Sequence, residues 1–403
     1  MRPIESSDKL KLVHSDIRGA VYEKALEMER SGIEILKLNT GNPGTFGFTM
    51  PDSVRSALLA NADRAVAYCD PKGMLEAREA LRAYHTTQGI EDISADDIFI
   101  GNGVSEMAQM VCASVLSAGD ELLMPSPSYS LWSNGAILAG GKPVFYTCDE
   151  QADWHPDVAD MARKITPRTR AIVLINPNNP TGQVYPPALV EQVAQLAREH
   201  DLLLIADEIY DRLIMDDMPF KSVAAIAPDM PVVTLNGLSK SHVICGFRCG
   251  WAVVSGPKEL TAELKECMMK LSSLRLCGNV LTQLVIPAAM NDPESTRAML
   301  VPGGRLYEQR EAAVRALDQL SCVHYVKPRA AFYIFPRIDS RIVIRDDKKF
   351  ALDLLEAKHI LLVPGSGFDW PVPDHFRLVL LPEPEDTYRA IMEIGDFLEN
   401  YHQ

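Results

Sequence analysis

The chain has 403 residues, 47% of them hydrophobic, and carries 54 acidic side chains against 40 lysines and arginines, a formal net charge of −14. That apolar share supports a substantial core and excludes intrinsic disorder; at ~100–200 residues per domain the length allows two or three domains, or one large α/β domain with an appendage. So acidic a chain argues against binding by neutralising phosphates along a nucleic acid, and any anion site must be a local concentration of positive groups.

The first residues, Met1-Arg2-Pro3-Ile4-Glu5-Ser6-Ser7-Asp8-Lys9, are polar and charged, with no apolar run behind them, which predicts no leader peptide. No stretch approaches the ~20 apolar residues of a membrane span. Residues 16–30 read as a helix and 33–38 as a strand. From about 94 to 255, short apolar runs alternate with amphipathic segments. The runs at 97–100, 121–124, 143–146, 171–175, 202–206, 232–235 and 251–254 predict seven strands, several without polar alternation, as in strands buried on both faces. Between them, 104–118 and 186–200 carry helical spacing; in the second, Leu189, Val190, Val193, Ala194, Leu196 and Ala197 form the apolar stripe. Strand–helix alternation predicts a mostly parallel seven-stranded sheet covered by helices.

Towards the C-terminus the pattern changes to α+β. Helices are expected at 257–275, 278–291, 304–320, 347–357 and 384–400, with strands near 323–327, 331–335, 360–363 and 375–380. The expected division is an N-terminal arm and part of a small domain over 1–46, a large domain over 47–294, and a small C-terminal domain over 295–403. The eight cysteines are scattered; none has C-x-x-C spacing, and the closest pair, Cys245 and Cys249, lies four apart. They read as reduced thiols of a cytoplasmic protein, and the dispersed histidines offer no metal cluster.

The strongest local signal is Asn236-Gly237-Leu238-Ser239-Lys240-Ser241-His242-Val243-Ile244-Cys245-Gly246-Phe247-Arg248-Cys249-Gly250, directly after a strand. A lysine in an apolar, Gly-rich setting can act as an amine nucleophile, and serine and arginine beside it suit a phosphate. Alone, the segment is equally a surface loop with a solvated lysine. Asn176-Pro177-Asn178-Asn179-Pro180-Thr181-Gly182 follows an apolar strand, where α/β proteins place ligand groups; the bland reading is a turn-rich loop. Asp207-Glu208-Ile209-Tyr210 closes another strand with a carboxylate that can hold a protonated ring nitrogen, or can merely cap a turn. Gly101-Asn102-Gly103-Val104-Ser105-Glu106 opens a helix whose free N–H groups can take a phosphate, although Ser105 is equally a plain cap. Together, an amine, a carboxylate, an amide and a phosphate cradle at successive strand ends fit pyridoxal 5′-phosphate.

At this point the sequence resembles the class I/II aminotransferases, the fold-type I pyridoxal-phosphate enzymes, over essentially its whole length. The motifs are Asn179-Pro180-Thr181-Gly182, Asp207-Glu208-Ile209-Tyr210, Ser239-Lys240, Gly246-Phe247-Arg248-Cys249-Gly250 and Arg377. Finer detail, such as Leu38-Asn39-Thr40-Gly41-Asn42-Pro43 and Tyr68-Cys69-Asp70-Pro71-Lys72-Gly73, is similar to the bacterial glutamate–pyruvate (alanine) aminotransferases. The resemblance implies that Lys240 holds the cofactor and moves the substrate proton, and that Asp207 pairs with the pyridine nitrogen. It also implies that Asn179 and Tyr210 face the phenolate oxygen and that Tyr129 stacks on the ring. Val104, Ser105, Ser239 and Arg248 take the phosphate, and Tyr68 reaches the phosphate of the other subunit of a homodimer. Arg377, with Gly41 and Asn179 nearby, takes the substrate carboxylate; a guanidinium suits this because it makes two parallel charge-assisted bonds. The expected substrates are amino acids and 2-oxo acids, with alanine/pyruvate and glutamate/2-oxoglutarate as the pair.

Two positions depart from the family pattern. Val243 stands where a basic or aromatic residue is common, and Ala330, in Arg329-Ala330-Ala331-Phe332-Tyr333, stands where glycine is usual. Either that turn is reshaped or the glycine is not needed. His242 is expected to be a loop residue, and Trp132, Trp154, Trp251 and Trp370 to be packing residues. Rival readings are another amino donor or a C–S β-lyase on the same scaffold. A non-enzymatic ligand sensor for transcription would need a DNA-binding module, and the residues before Gly41 carry no helix-turn-helix or basic stretch.

Overall fold

A computed structural model of the chain describes residues 3–15, 17 and 19–403. In chain order its strands are β1 (Leu36–Lys37), β2 (Ile98–Gly101), β3 (Glu121–Ser126), β4 (Lys142–Asp149), β5 (His155–Pro156), β6 (Thr169–Ile175), β7 (Leu203–Asp207) and β8 (Val232–Gly237). There follow β9 (Gly250–Ser255), β10 (Val323–His324), β11 (Tyr333–Ile334), β12 (Arg337–Ile338), β13 (Ile360–Leu361), β14 (Val363–Pro364) and β15 (Phe376–Val379). The main sheet runs β2-β9-β8-β7-β6-β3-β4-β5. Neighbours from β4 through β3, β6 and β7 to β8 are parallel. β9 lies antiparallel between β8 and β2, so β2 points the same way as the parallel set. All seven expected strands are present. The eighth, β5, is a two-residue pairing on the end of β4, too short and too proline-bound to read from sequence.

Period-two burial explains the layers. In β6, Ala171, Val173 and Ile175 enter one core while Ile172 and Leu174 enter another; in β7, Leu203 and Ile205 part from Leu204 and Ala206 in the same way. Helix Pro187–Glu199 covers one face with Val190, Val193, Ala194, Leu196 and Ala197, each buried. It starts on a proline, which fits the first helical turn. Full burial of a valine or leucine contributes about 1.5–3 kcal/mol before entropy, so a charge at Val193 would detach this helix. The other face is covered by Val104–Val115, Leu131–Ala139 and Lys258–Leu274.

A further core joins both ends of the chain: Val21, Ala25, Met28 and Leu38 pack with residues from Ala313 to Tyr401. β1 pairs in parallel with β13. The first helix spans Ala20–Arg30; of the expected 16–30, Asp16 and Arg18 lie outside the described residues. The helix expected over 278–291 is broken into Val280–Gln283 and Ile286–Met290. Pro287 has no N–H for the preceding turn and its ring crowds the carbonyl four residues back. Helices Asp52–Asn61 and Leu75–Thr87 were not anticipated from the sequence.

Candidate functional site

Because β2, β3, β6, β7 and β8 all point the same way, the loops after them leave one edge of the sheet, and β9 begins there. Val104 and Ser105 follow β2, Tyr129 follows β3, Asn179 follows β6, Asp207 ends β7 with Tyr210 just beyond, Ser239 and Lys240 follow β8, and Arg248 precedes β9. A cavity of about 730 Å³ opens at this edge. All of these residues line it, together with Gly41 and Arg377 from the chain ends. Of the expected set only Tyr68 does not; it is 78% exposed on the outside of the molecule.

Lys240 sits in the short helical turn Leu238–Ser241, and its Nζ donates to the carbonyl of Gly41 at 2.8 Å. Gly41 must be glycine here, since a Cβ would collide with Tyr333 and Phe332. Asp207 is buried; its Oδ2 accepts from Trp132 Nε1 at 3.1 Å and its Oδ1 from the Ile209 N–H at 3.4 Å. Burial pushes its carboxyl up to about 6, against the pull of the Trp132 N–H. Asp207 has no cationic partner among the described residues. Trp132, expected only to pack, is thus also a hydrogen-bond donor to the site.

Arg377 is buried between two rings, its guanidinium carbon 4.6 Å from the centroids of both Tyr333 and Phe368. Nη1 donates to Asn179 Oδ1 at 3.1 Å and Nη2 to the carbonyl of Asn39, while Nε is buried with no partner. Burial lowers its pKa, an effect that raises the demand for an anion beside it. Tyr210 donates its hydroxyl to that of Tyr333 at 3.1 Å. Arg248 packs on Gly103 (φ 89) at the start of helix Val104–Val115, donating to the carbonyls of Cys245 at 2.9 Å and Asn102 at 3.4 Å. The described lining holds three cations (Lys240, Arg248 and Arg377) against one carboxylate, Asp207. This is the local positive concentration that the overall charge of −14 demanded.

Phe332, Tyr333 and Phe368 were not singled out as site residues, and neither was Asn39. Only the quoted stretch 38–43 signalled Asn39, whose amide also donates to the carbonyl of Ile17 at 2.9 Å. His242 lies just past the Leu238–Ser241 turn, outside regular structure as expected, but it is fully buried, with Nδ1 2.9 Å from Ser241 Oγ and Nε2 3.0 Å from the Ala289 carbonyl, and burial pushes it down to about 4. Of the two departures, Val243 adopts φ 52, a strained conformation for a β-branched residue. The positive φ in the Ala330-Ala331 turn falls on Ala331 (φ 59) and not on Ala330. Ala330 donates its N–H to Gly182 O at 2.9 Å in an ordinary conformation, so glycine is not needed there.

The family model for aminotransferase class I and II matches residues 33–394. The chain belongs to the class I and II aminotransferases. It is 46% identical to the glutamate-pyruvate aminotransferase AlaA of Escherichia coli K12, with both chains covered completely. It is also 46% identical to the alanine aminotransferase of Mycobacterium tuberculosis, over all of this chain and 94% of that one. Among solved structures, an aminotransferase from Escherichia coli superposes with a TM-score of 0.98 at 46% identity, covering both chains fully. Alanine aminotransferase from Pyrococcus furiosus superposes with a TM-score of 0.92 at 34% identity, over 98% of this chain and 100% of the other. In this aminotransferase, then, the fold inferred from strand–helix alternation and from the motifs is the one present.

Proposed function

We propose that this aminotransferase exchanges an amino group between the L-alanine/pyruvate and L-glutamate/2-oxoglutarate pairs, with pyridoxal 5′-phosphate as cofactor, in two half-reactions at one site. The observation that carries the reading is the cavity itself: a buried carboxylate without a cation, a lysine, and a ring-sandwiched arginine with an unpartnered Nε all face one space. The donor set fits the cofactor. Asp207 would hold the proton of its ring nitrogen, which removes the cost of burying that carboxylate alone. Asn179 and Tyr210 would face its phenolate oxygen and Tyr129 its ring. Ser105, Ser239, Arg248 and the free N–H groups at Val104 and Ser105 would take its phosphate. When bound, the cofactor supplies an aldehyde that takes up the amino group and a ring that accepts the electrons left at the substrate Cα.

The residues divide the remaining work. Arg377 takes the substrate carboxylate and so presents Cα to Lys240, with Asn179 steadying the guanidinium. Lys240, which would also hold the cofactor between turnovers, is placed to remove and return the Cα proton as general base and acid. Alanine and glutamate as the donors are supported by the full-length relatives named for that activity. Lys240→Ala is expected to lose turnover and the visible absorbance of the lysine-bound cofactor together; retained turnover would sink the assignment. A spectrophotometric panel of amino donors against pyruvate and 2-oxoglutarate tests the substrate pair, and release of pyruvate and ammonia without an acceptor would point to a lyase.

The same proposal includes a homodimer with shared sites and two domains: 47–294 holding the cofactor, and a smaller one built from 1–46 and 295–403. Leu59, Val66, Tyr68 and Leu274 are large apolar residues left at 76%, 91%, 78% and 83% exposure. A second copy covering them would put Tyr68 within reach of its partner's phosphate site. A cytoplasmic location is part of the proposal, supported by eight cysteines without a disulfide. No described helix is long and apolar enough to cross a membrane.

A further inference from the structure

The loops that carry Tyr210 and Lys240 leave neighbouring strands. β7 and β8 pair up to Asp207 and Leu235, and the last backbone link between them is the Glu208 N–H to the Leu235 carbonyl at 2.9 Å. Beyond it the ladder ends, and the two loops diverge. At that point a side chain takes over. Asp211, next to Tyr210, accepts on Oδ2 from Asn236 Nδ2 at 2.7 Å, and on the same oxygen from the hydroxyl of Tyr84 in helix Leu75–Thr87. Asn236 in turn accepts on Oδ1 from the N–H of Gly237 at 2.7 Å, the residue from which the Lys240 turn springs.

The rest of the surroundings makes this oxygen pair asymmetric. Asp211 Oδ1 is buried with no hydrogen-bond partner. Arg212 stacks over the Tyr84 ring at 4.0 Å and leaves its Nη1 unpartnered. Asp211 and Arg212 border a second cavity of about 900 Å³, whose lining includes none of the residues assigned to the reaction. The orphaned atoms are not accessible from that cavity. A carboxylate kept in place with one oxygen unsatisfied costs free energy, and both of its donors converge on the other oxygen.

We propose that Asp211 is a positioning residue that sets the relative placement of Tyr210 and Lys240 through its bond to Asn236; the inference rests on the roles assigned above to those two residues. Lys240 must reach the substrate Cα while Tyr210 faces the cofactor's phenolate oxygen, and about 1 Å of misplacement between reacting groups can cost a hundredfold in rate. Both donors need an acceptor at this position, and the neighbouring Arg212 guanidinium is the charge that faces it. The amide oxygen of an asparagine can take both donors, with its NH₂ where Oδ1 now has no partner.

The test uses the holoenzyme of Asp211→Ala, Asn236→Ala and Asp211→Asn, with kcat, KM for alanine and the visible circular-dichroism band of the bound cofactor as readouts. Asp211→Ala and Asn236→Ala are expected to lower kcat by about tenfold to a hundredfold, with KM within about threefold, and to shrink or shift the dichroic band. Asp211→Asn is expected to stay within about threefold of the parent on all three. Unchanged kcat and dichroism in Asn236→Ala overturn the proposal, as does an Asp211→Asn enzyme as impaired as Asp211→Ala. Should Asp211→Ala not fold, Asn236→Ala decides alone. Failure of the Lys240→Ala expectation would sink the functional reading; normal behaviour there with an unaffected Asn236→Ala enzyme sinks only this proposal.

Discussion

Arg377 illustrates how much at this site hangs on single groups. Its guanidinium is buried between two rings, held by one side-chain and one backbone oxygen, and its Nε has no partner. If Arg377 takes the substrate carboxylate as proposed, Arg377→Ala removes its partner in a largely dry site, a cost of ~3–5 kcal/mol, or roughly two to four decades in kcat/KM by transition-state arithmetic. A loss below about tenfold in steady-state assays would show that another cation holds the carboxylate. Glu208, one residue past Asp207, makes a different prediction. Its Oε1 accepts from Ser222 Oγ at 3.0 Å and from the Val223 N–H at 2.8 Å, and burial, with Asp211 nearby, pushes its carboxyl up to about 8. The unfolded chain releases this proton near pH ~4.3, while the folded one keeps it until about 8. The contribution is therefore fully present below the unfolded value and is lost as pH rises through the folded one, at up to about 1.4 kcal/mol per pH unit. Glu208→Gln removes that loss, so its melting temperature should gain on the parent steadily from pH 5 to pH 8. Parallel melting curves across that window would refute the buried neutral acid.

At the scale of elements, the site depends on strands meeting in one register. Gly101, Gly250 and Gly237 lie in a single row across β2, β9 and β8. A Cβ on Gly250 would collide with the N of Val104 and come within 2.6 Å of the Gly103 carbonyl carbon; one on Gly237 would lie 2.6 Å from the Cys249 carbonyl oxygen. The row brings the helix start at Val104, the Arg248 loop and the Lys240 turn into contact. Gly250→Ala is expected to push the helix start away, an overpacking cost of about 1–3 kcal/mol, with cofactor lost on gel filtration from a still-folded protein. Full retention of cofactor at the parent's melting temperature would argue that the helix start does not bind phosphate. Pro287 works in the opposite sense, ending helix Val280–Gln283 so that the chain turns through two more short helices, Ile286–Met290 and Pro293–Arg297, before Arg305.

At the scale of the whole molecule, the proposed homodimer explains why Tyr68 stands exposed while the rest of the expected set lines one cavity. If each site borrows Tyr68 from its partner, Lys240→Ala and Tyr68→Ala subunits, each deficient alone, form mixed dimers with one intact site. Refolding the two together should give more activity than the sum of the parents. No gain, with mixed dimers demonstrated by gel filtration of tagged subunits, would place Tyr68 outside the site. The net charge of −14 adds that anionic substrates are not steered by the global field, so under the proposed function capture would rest on Arg248, Arg377 and the helix start, which line the cavity.

Much of the cavity lining was legible because it sits in contiguous motifs at strand ends: Ser239-Lys240 through Arg248, Asp207 through Tyr210, and Gly103 through Ser105 each lie within a short stretch whose strand and turn are set by local pattern. The seven long strands were legible for the same reason, since burial on both faces writes itself as an apolar run. What tertiary structure decided are the contacts between residues far apart in the chain. Trp132 reaches Asp207 across 75 positions, Tyr333 reaches Tyr210 across 123, and Arg377 reaches Asn39 across 338. No periodicity records such pairs, because each residue also satisfies an ordinary packing role in its own element. The same holds for Ala331, where strain arises from the turn that ties Ala330 to Gly182. Local sequence determined which groups are available at each strand end; only the assembly of the sheet and the closing of both chain ends over its edge determined which groups face one another.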